Sequence, residues 1–366
     1  MAFCGKKEKV VFHEIWRSEE ACWCQHGMCR WPSCNSPLRQ GAVTPRAMTA
    51  PPELEAALWA ARMLWAVGTG ACLLASDLPC ISVGPLRRIA HYGKLRADAP
   101  AGGGPLPQLQ ARLAALALPA RGVWAGYYAG GAVLNAICLW WEPCALLALL
   151  QLHLLRRLYE TVRITRFSGG RREHPLTVCV GTFFYVLLSP SLALEVRIAR
   201  RQVANAGGSS GGALPAAVFA AAFALANVAQ HSAHVELARM RASGRQNSVT
   251  LKVAERGAHM GQAVGDVYRV PSGWLFRRVS CCPHYSCEVL LYVSLALFAA
   301  ADPRGGEMWR WLAIGPVEVR VCICAWMAAL FALVNLSITA VRTRKWYGKQ
   351  PASSHLATSA IIPGVL

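Results

Sequence analysis

The chain is short of charge, and shorter still of negative charge. Only 16% of its 366 residues are Asp, Glu, Lys or Arg, and 38 bases outnumber 19 acids two to one. Soluble domains carry about 25% charge, so this scarcity, beside 54% hydrophobic residues, excludes an ordinary soluble fold. Phosphate-binding loops are missing too. No G-x-G-x-x-G follows a strand pattern and no Walker-type loop occurs, which excludes a separate soluble nucleotide domain. Internal repeats are lacking. The paired C-x2-C of common zinc sites is also absent: Cys22, Cys24, Cys29 and Cys34 beside His26 are spaced C-x-C-x4-C-x4-C, and no metal is expected there.

What the chain has instead is apolar runs near the ~20 residues that cross a bilayer. They lie near 56–76, 122–140, 143–158, 175–195, 213–233, 285–301 and 318–341. The expected fold is therefore an all-α integral membrane protein with about seven transmembrane helices. Seven spans make the loops alternate sides. The loops at 77–121, 156–174 and 235–284 and the tail after 341 hold 24 Lys and Arg, whereas those at 196–212 and 302–320 hold 6. The positive-inside bias then puts the C-terminus in the cytoplasm. Most of the net charge of +19 lies on that face, where it suits an anionic leaflet or a phosphorylated ligand. It requires no nucleic-acid partner.

Residues 1–47 do not fit this topology, because they carry seven Lys and Arg and five cysteines. They are expected to be a disordered or non-native leader, with one membrane domain over 48–366. The other ten cysteines lie mostly in or beside apolar runs, where Cys acts as a small hydrophobe. Asn335-Leu336-Ser337 matches a glycosylation acceptor but lies inside the last run and is expected to be unused.

Chemistry must then come from polar groups near the span ends. "LHLLRRLYE" at 152–160 spaces His153, Arg156, Arg157 and Glu160 by threes and fours, which places His153 on one face with the two arginines. In "NVAQHSAHVELARMR", Gln230 and His234 stand four apart and Arg241 follows two turns later. Arg156 and Arg157 also fit plain snorkelling anchors, whereas polar groups inside a span usually face a cavity or a partner. Glu288, near the start of the sixth run, admits two readings: a helix-dipole acid worth a few tenths of a kcal/mol, or an acid turned toward a ligand.

Seven motifs occur in series: Tyr92-Gly93-Lys94, "HLLRRLYE" at 153–160, Gln230-x3-His234 with Arg241, "YRVP-x-G-x-LF" at 268–276, "CPHYSCE" at 282–288, "RKWY" at 344–347 and "AIIP" at 360–363. Together they resemble the steroid 5-alpha-reductase family and, within it, the plant-type polyprenol reductase branch. The Gln-x3-His pair and His284 separate that branch from the steroid enzymes, and Tyr128 and Leu154 stand where the steroid branch has Glu and Tyr. Ala125 and Ala233 depart from the polyprenol pattern.

The resemblance implies a seven-helix reductase of the endoplasmic reticulum membrane whose helices enclose a cofactor and lipid cavity. It would use NADPH to saturate the α-isoprene double bond of a long polyprenoid, as polyprenol or polyprenal, giving dolichol for glycan carriers. Arg157, Gln230, His234, Arg241, Tyr268, Arg269, His284, Glu288 and Tyr347 are the implied cofactor-binding residues, with Lys94 as a further cation. Arg157, Arg241 and Arg269 supply guanidinium forks for phosphate oxygens. Tyr127, Tyr128 and His153, in that order, are the candidate proton donors or oxyanion stabilisers. Three other readings stay open: a 3-oxo-steroid reductase, a trans-2-enoyl-CoA reductase, and a membrane scaffold or channel.

A protein begun at Met48 is expected to insert and to reduce substrate like the full chain, because no span or motif lies before it. Comparing membrane insertion and turnover of the two forms checks this, and loss of activity in a well-expressed truncation would contradict it.

Overall fold

In lipid a backbone amide has no water to bond, so each apolar run must close its own hydrogen bonds, and a helix does so within one segment. The computed structural model follows this rule. It describes residues 51–74, 112, 115–167, 170–206, 213–246, 270–301, 312–314, 317–319, 322–350 and 354–364. The helices are α1 (Pro52–Leu74), α2 (Ala120–Trp141), α3 (Ala145–Tyr159), α4 (Pro175–Ala206), α5 (Ala213–Gln246), α6 (Trp274–Arg278), α7 (Pro283–Ala301) and α8 (Ile323–Tyr347). Two short antiparallel pairs complete the described elements. β1 (Leu118–Pro119) pairs with β2 (Arg172–Glu173), Leu118 opposite Glu173, and so ties the start of α2 to the start of α4. β3 (Leu312–Ile314) pairs with β4 (Val317–Val319).

Among the described residues, six helices are long and apolar enough to cross a membrane: α1, α2, α4 over Pro175–Arg201, α5 over Ala216–Ala242, α7 and α8. The chain is a multi-pass membrane protein. Its count differs from the expected seven at α3, whose 15 residues fall below the ~20 of a full span and end in Arg156 and Arg157. The edges differ as well. The last expected span began at 318, but the alternation Val317-Glu318-Val319 has the period of a strand and forms β4, so α8 starts only at Ile323. Helices α4 and α5 run past the hydropathy edge to 206 and 246, since a helix continues wherever its backbone does and hydropathy reads only side chains. Residues 1–47, Tyr92, Lys94, most of the loop at 77–121 and residues 247–269 lie outside the described residues.

Only 28% to 44% of each spanning window is buried within the protein. The rest is apolar and outward, as in Trp140, Leu225 and Val67, which is the surface of helices solvated by lipid. Inside, α5 packs on α7, α7 on α8, α8 on α1, α1 on α4, and α4 with α3 on α2. Small buried residues such as Ala226, Ala233 and Ser294 let α5 and α7 approach closely, as bilayer packing favours. Trp65 of α1 is fully buried and edge-on to Phe183, Phe184 and Phe331 at 5.5–6.1 Å between centroids. Its indole N–H donates to Ser191 Oγ at 3.2 Å, so the ring enters the core without leaving a donor bare.

One acid braces the bundle at the start of α8. Glu195 of α4 has no exposed surface; it accepts Arg62 Nη2 at 3.2 Å, Cys324 N at 2.9 Å and Cys322 Sγ at 2.9 Å. A carboxylate from another helix thereby caps α8, whose first N–H groups have no partner within it. Glu195→Ala leaves Arg62 and that helix end without their anion. Removing one partner of a buried pair costs about 3–5 kcal/mol, and a loss of this size is expected in thermal or denaturant unfolding of the detergent-solubilised protein.

Candidate active site

The polar residues of α2, α3, α5 and α7 meet in one cluster. Its centre is Glu160, fully buried at the point where α3 passes into a π-helical turn over Glu160–Ile164. Wide turns of this kind recur at functional sites, and here Thr165 N closes the turn on Glu160 O at 2.7 Å. Arg156 and Arg157, one turn earlier, both pair with this carboxylate, Arg157 Nη1 reaching Oε2 at 2.7 Å. From α5, His231 Nδ1 lies 2.8 Å from Oε1 and His234 Nδ1 2.8 Å from Oε2. Burial alone would raise the Glu160 carboxyl, but the bond to His234 and the charges of Arg157 and Arg156 hold it well below the usual carboxylate range.

Two lines of hydrogen bonds spread from this centre. Arg157 Nη2 donates to Tyr128 Oη at 2.6 Å, with the guanidinium 4.8 Å from the ring centroid. Arg156 donates to Gln230 Oε1 and through Nε to Asn227 Oδ1 at 2.8 Å. Asn227 Nδ2 donates to Phe223 O at 2.9 Å, which fixes the amide so that Oδ1 also faces His153 Nδ1 at 3.1 Å. Gln230 Nε2 in turn donates to Glu288 Oε2 and to His284 O at 3.1 Å. Glu288 Oε1 lies 3.5 Å from His153 Nε2, an ion-pair distance longer than a hydrogen bond.

These contacts decide several of the sequence expectations. Arg156 and Arg157 are partly buried ion-pair partners rather than snorkelling anchors. Glu288 is the sixth residue of α7 and points inward at His153 and Gln230, so the helix-dipole reading falls. His153, Arg157, Gln230, His234, Glu288 and Tyr128 come together, with the His284 ring 5.7 Å from that of His234. Tyr127 does not join them. Its hydroxyl donates to Thr177 O at 2.9 Å and its ring occupies the space where Gly181 would carry a side chain. Arg241 lies beyond the cluster, donating to Arg166 O at 2.8 Å. Tyr347 sits in a smaller core with Cys281, Cys282, Ala360 and Ile361. Tyr268 and Arg269 lie outside the described residues.

Sequence reasoning did not name Arg156, Glu160 or Asn227 as site residues. For Glu160 the signal was present, an acid three and four residues after two arginines. Asn227 gave none beyond being a polar residue in a span. Tyr292, one turn after Glu288 on the same face of α7, was also missed; it is 3% exposed and its ring lies 6.1 Å from His153. Two further motifs serve as bracing. Gly273, of "YRVP-x-G", donates its N–H to Glu236 at 2.5 Å, and that carboxylate fills the space a Cβ would take. The "AIIP" segment lies along the α6–α7 turn, with Cys281 N on Ser359 O at 2.9 Å and Ser286 Oγ on Ile361 O at 2.5 Å.

No protein-family model matches the chain. Individual proteins do. It is 28% identical over 231 residues to polyprenal reductase 1 of Oryza sativa subsp. indica, covering 62% of this chain and 59% of that protein. Identity is 28% over 218 residues with the polyprenal reductase of Xenopus tropicalis, 59% of each chain. With that of Saccharomyces cerevisiae it is 25% over 214 residues, 58% of this chain and 61% of the other. The resemblance to the polyprenol reductase branch is thus borne out. The chain spans about three-fifths of the length of the relatives it matches.

Glu160→Ala leaves two guanidinium groups without their anion in a buried setting, a change that costs about 3–5 kcal/mol. The altered protein is expected to unfold at lower denaturant or temperature than wild type, and Glu160→Asp to lose less. Equal unfolding midpoints for wild type and Glu160→Ala would contradict the central role of this carboxylate.

Proposed function

We propose that this chain is an NADPH-dependent reductase of the endoplasmic reticulum membrane, its C-terminus cytoplasmic, that saturates the α-isoprene double bond of a polyprenoid to give dolichol. One observation carries the reading. His153, Gln230, His284 and Glu288, marked by motifs far apart in sequence, converge from three helices inside a lipid-solvated bundle, in a chain similar to polyprenal reductases.

The cluster suits the uncharged end of a dinucleotide. Its two guanidinium groups and two carboxylates cancel, and both arginines are already engaged by Glu160, Gln230 and Tyr128. It is thus no phosphate site in itself, and phosphate recognition falls to cations outside it, among which Arg241 and Arg269 are the sequence candidates. Three buried side-chain atoms near Glu288 make no hydrogen bond of good geometry: His153 Nε2, which lies 3.5 Å from Glu288 Oε1, Arg157 Nε and Tyr292 Oη. Native interiors rarely leave such atoms bare, and a set of them gathered round one acid is what a polar ligand would complete. Glu288, oriented by Gln230 and His153, is an acceptor suited to a carboxamide.

The chemistry NADPH supplies when bound is a hydride for the β-carbon of the substrate. An allylic alcohol offers nowhere for the resulting negative charge, whereas a conjugated aldehyde places it on oxygen, so polyprenal is the expected acceptor; the immediate product is then the saturated aldehyde, and a separate carbonyl reduction completes dolichol. Tyr128 then has a defined part. Its oxygen accepts from Arg157, which leaves the phenolic hydrogen to be donated to the carbonyl oxygen, with the guanidinium stabilising charge behind it. Tyr128 is itself buried, with the rings of Tyr185 and Trp124 beside it, and excluding water strengthens that interaction.

Membranes containing the protein, given NADPH and separately polyprenol, polyprenal, a 3-oxo-4-ene steroid and an enoyl-CoA, test the reading. Turnover of polyprenal faster than of polyprenol is expected; reduction of steroid or acyl-CoA alone would replace it. Tyr128→Phe is expected to lower kcat by about 10²–10⁴, the usual range for a lost proton donor, while Tyr127→Phe stays close to wild type. Glu288→Gln keeps the size of the side chain but adds an NH2 group that needs an acceptor. It is expected to weaken NADPH binding and slow turnover with normal membrane insertion, and unchanged NADPH affinity would remove Glu288 from the cofactor site.

A further inference from the structure

Outside the polar cluster the molecule has a cavity of a different kind. A groove of about 460 Å³ runs between α2 and α4, inside the ~300–1,000 Å³ range of ligand sites. Carbon dominates its walls, with Leu134, Val178 and Val186 among them and no charged side chain. Its floor is α2 itself at Gly122, Gly126 and Gly130, where a Cβ would meet no atom within 4 Å. From Gly122 to Leu134 the floor is about 18 Å long at 1.5 Å per residue.

We propose that this groove binds the isoprenoid chain of the lipid substrate, alongside the site where its head reacts. The inference rests on the polyprenoid reading given above, and three observations favour that occupant. Both walls belong to membrane-spanning helices, so the open side faces hydrocarbon and a lipid chain enters without crossing water. The groove also adjoins the candidate active site. Tyr185 lines it, stacks on Tyr127 at 6.0 Å and meets Tyr128 edge-on at 5.4 Å, and Tyr128 carries the Arg157 bond. Finally, the walls are branched aliphatic and aromatic groups of the size that methyl-branched isoprene units pack against.

The competing occupant is a helix of a second copy, since small residues four apart also let helices approach. The substitution Gly126→Leu separates the two. It adds a side chain where the protein leaves space and favours the helix intrinsically, so folding should persist. Gly70→Leu on α1, where a Cβ likewise meets nothing within 4 Å, serves as the control. In the full-length protein reconstituted in phospholipid vesicles, Gly126→Leu is expected to raise KM for long-chain polyprenal on the order of tenfold, with kcat and NADPH affinity held. A diazirine-bearing polyprenoid should label α2 and α4 in wild type and in Gly70→Leu, and lose that labelling in Gly126→Leu. Unchanged KM with retained labelling overturns the proposal. So does loss of a chemically cross-linked dimer in Gly126→Leu with labelling intact, which would make the groove a helix interface. Labelling is read without turnover: a wild type that reduces no enal refutes the reductase reading, while the labelling pattern still decides the groove.

Discussion

Everything at the candidate site depends on one carboxylate in a place that is expensive for charge. Glu160 is held by two arginines of its own helix and two histidines of α5, and both arginines reach on to something else. Arg157 holds Tyr128, Arg156 holds Gln230 and Asn227, and through these Glu288 and His153 are set. A charge buried in hydrocarbon is tolerable only when paired and hydrogen-bonded, so the network has little freedom to rearrange piecemeal. Its rigidity is a condition for presenting a proton donor and an acceptor at fixed spacing.

Two solvents shape the rest. Toward lipid the helices show aliphatic and aromatic surface without apparent selection for shape, and the glycine floor of α2 interrupts that surface with a hollow. Toward the interior, Trp65 and its three phenylalanine neighbours fill the bundle on the α1–α4–α8 side, while the polar network occupies the α3–α5–α7 side. Glu195 at the head of α8 is a second buried acid made tolerable by its partners, here one backbone N–H, one thiol and one arginine.

The sequence made the architecture largely legible, because hydropathy reports directly on lipid contact. It failed where backbone and side chains carry different messages. α3 looked like a span from its leucines, yet its last turn is the most polar part of the site, and β4 hid inside an apolar run because two valines flank a single glutamate. At the site, spacing made His153, Gln230, His234 and Glu288 legible through the resemblance to a family. What spacing could not supply was direction. Tyr127 and Tyr128 are adjacent in sequence and about 100° apart round a helix, so only packing against Gly181 on one side and Arg157 on the other told the wall from the donor. Asn227 acts solely as a junction between elements, a role with no signature in a single sequence.

The segment that lies across the α6–α7 turn sets an order of assembly. Ala357 N pairs with Phe276 O at 2.9 Å and Cys281 N with Ser359 O at 2.9 Å, so the turn that opens into His284 and Glu288 is completed by residues made some 80 positions later. At about 5–20 residues per second of synthesis, that turn waits on the order of 4–16 s for its partner. Through that interval α7 and α8 are themselves being made, so the turn ahead of His284 and Glu288 is completed only after the last helix has left the ribosome.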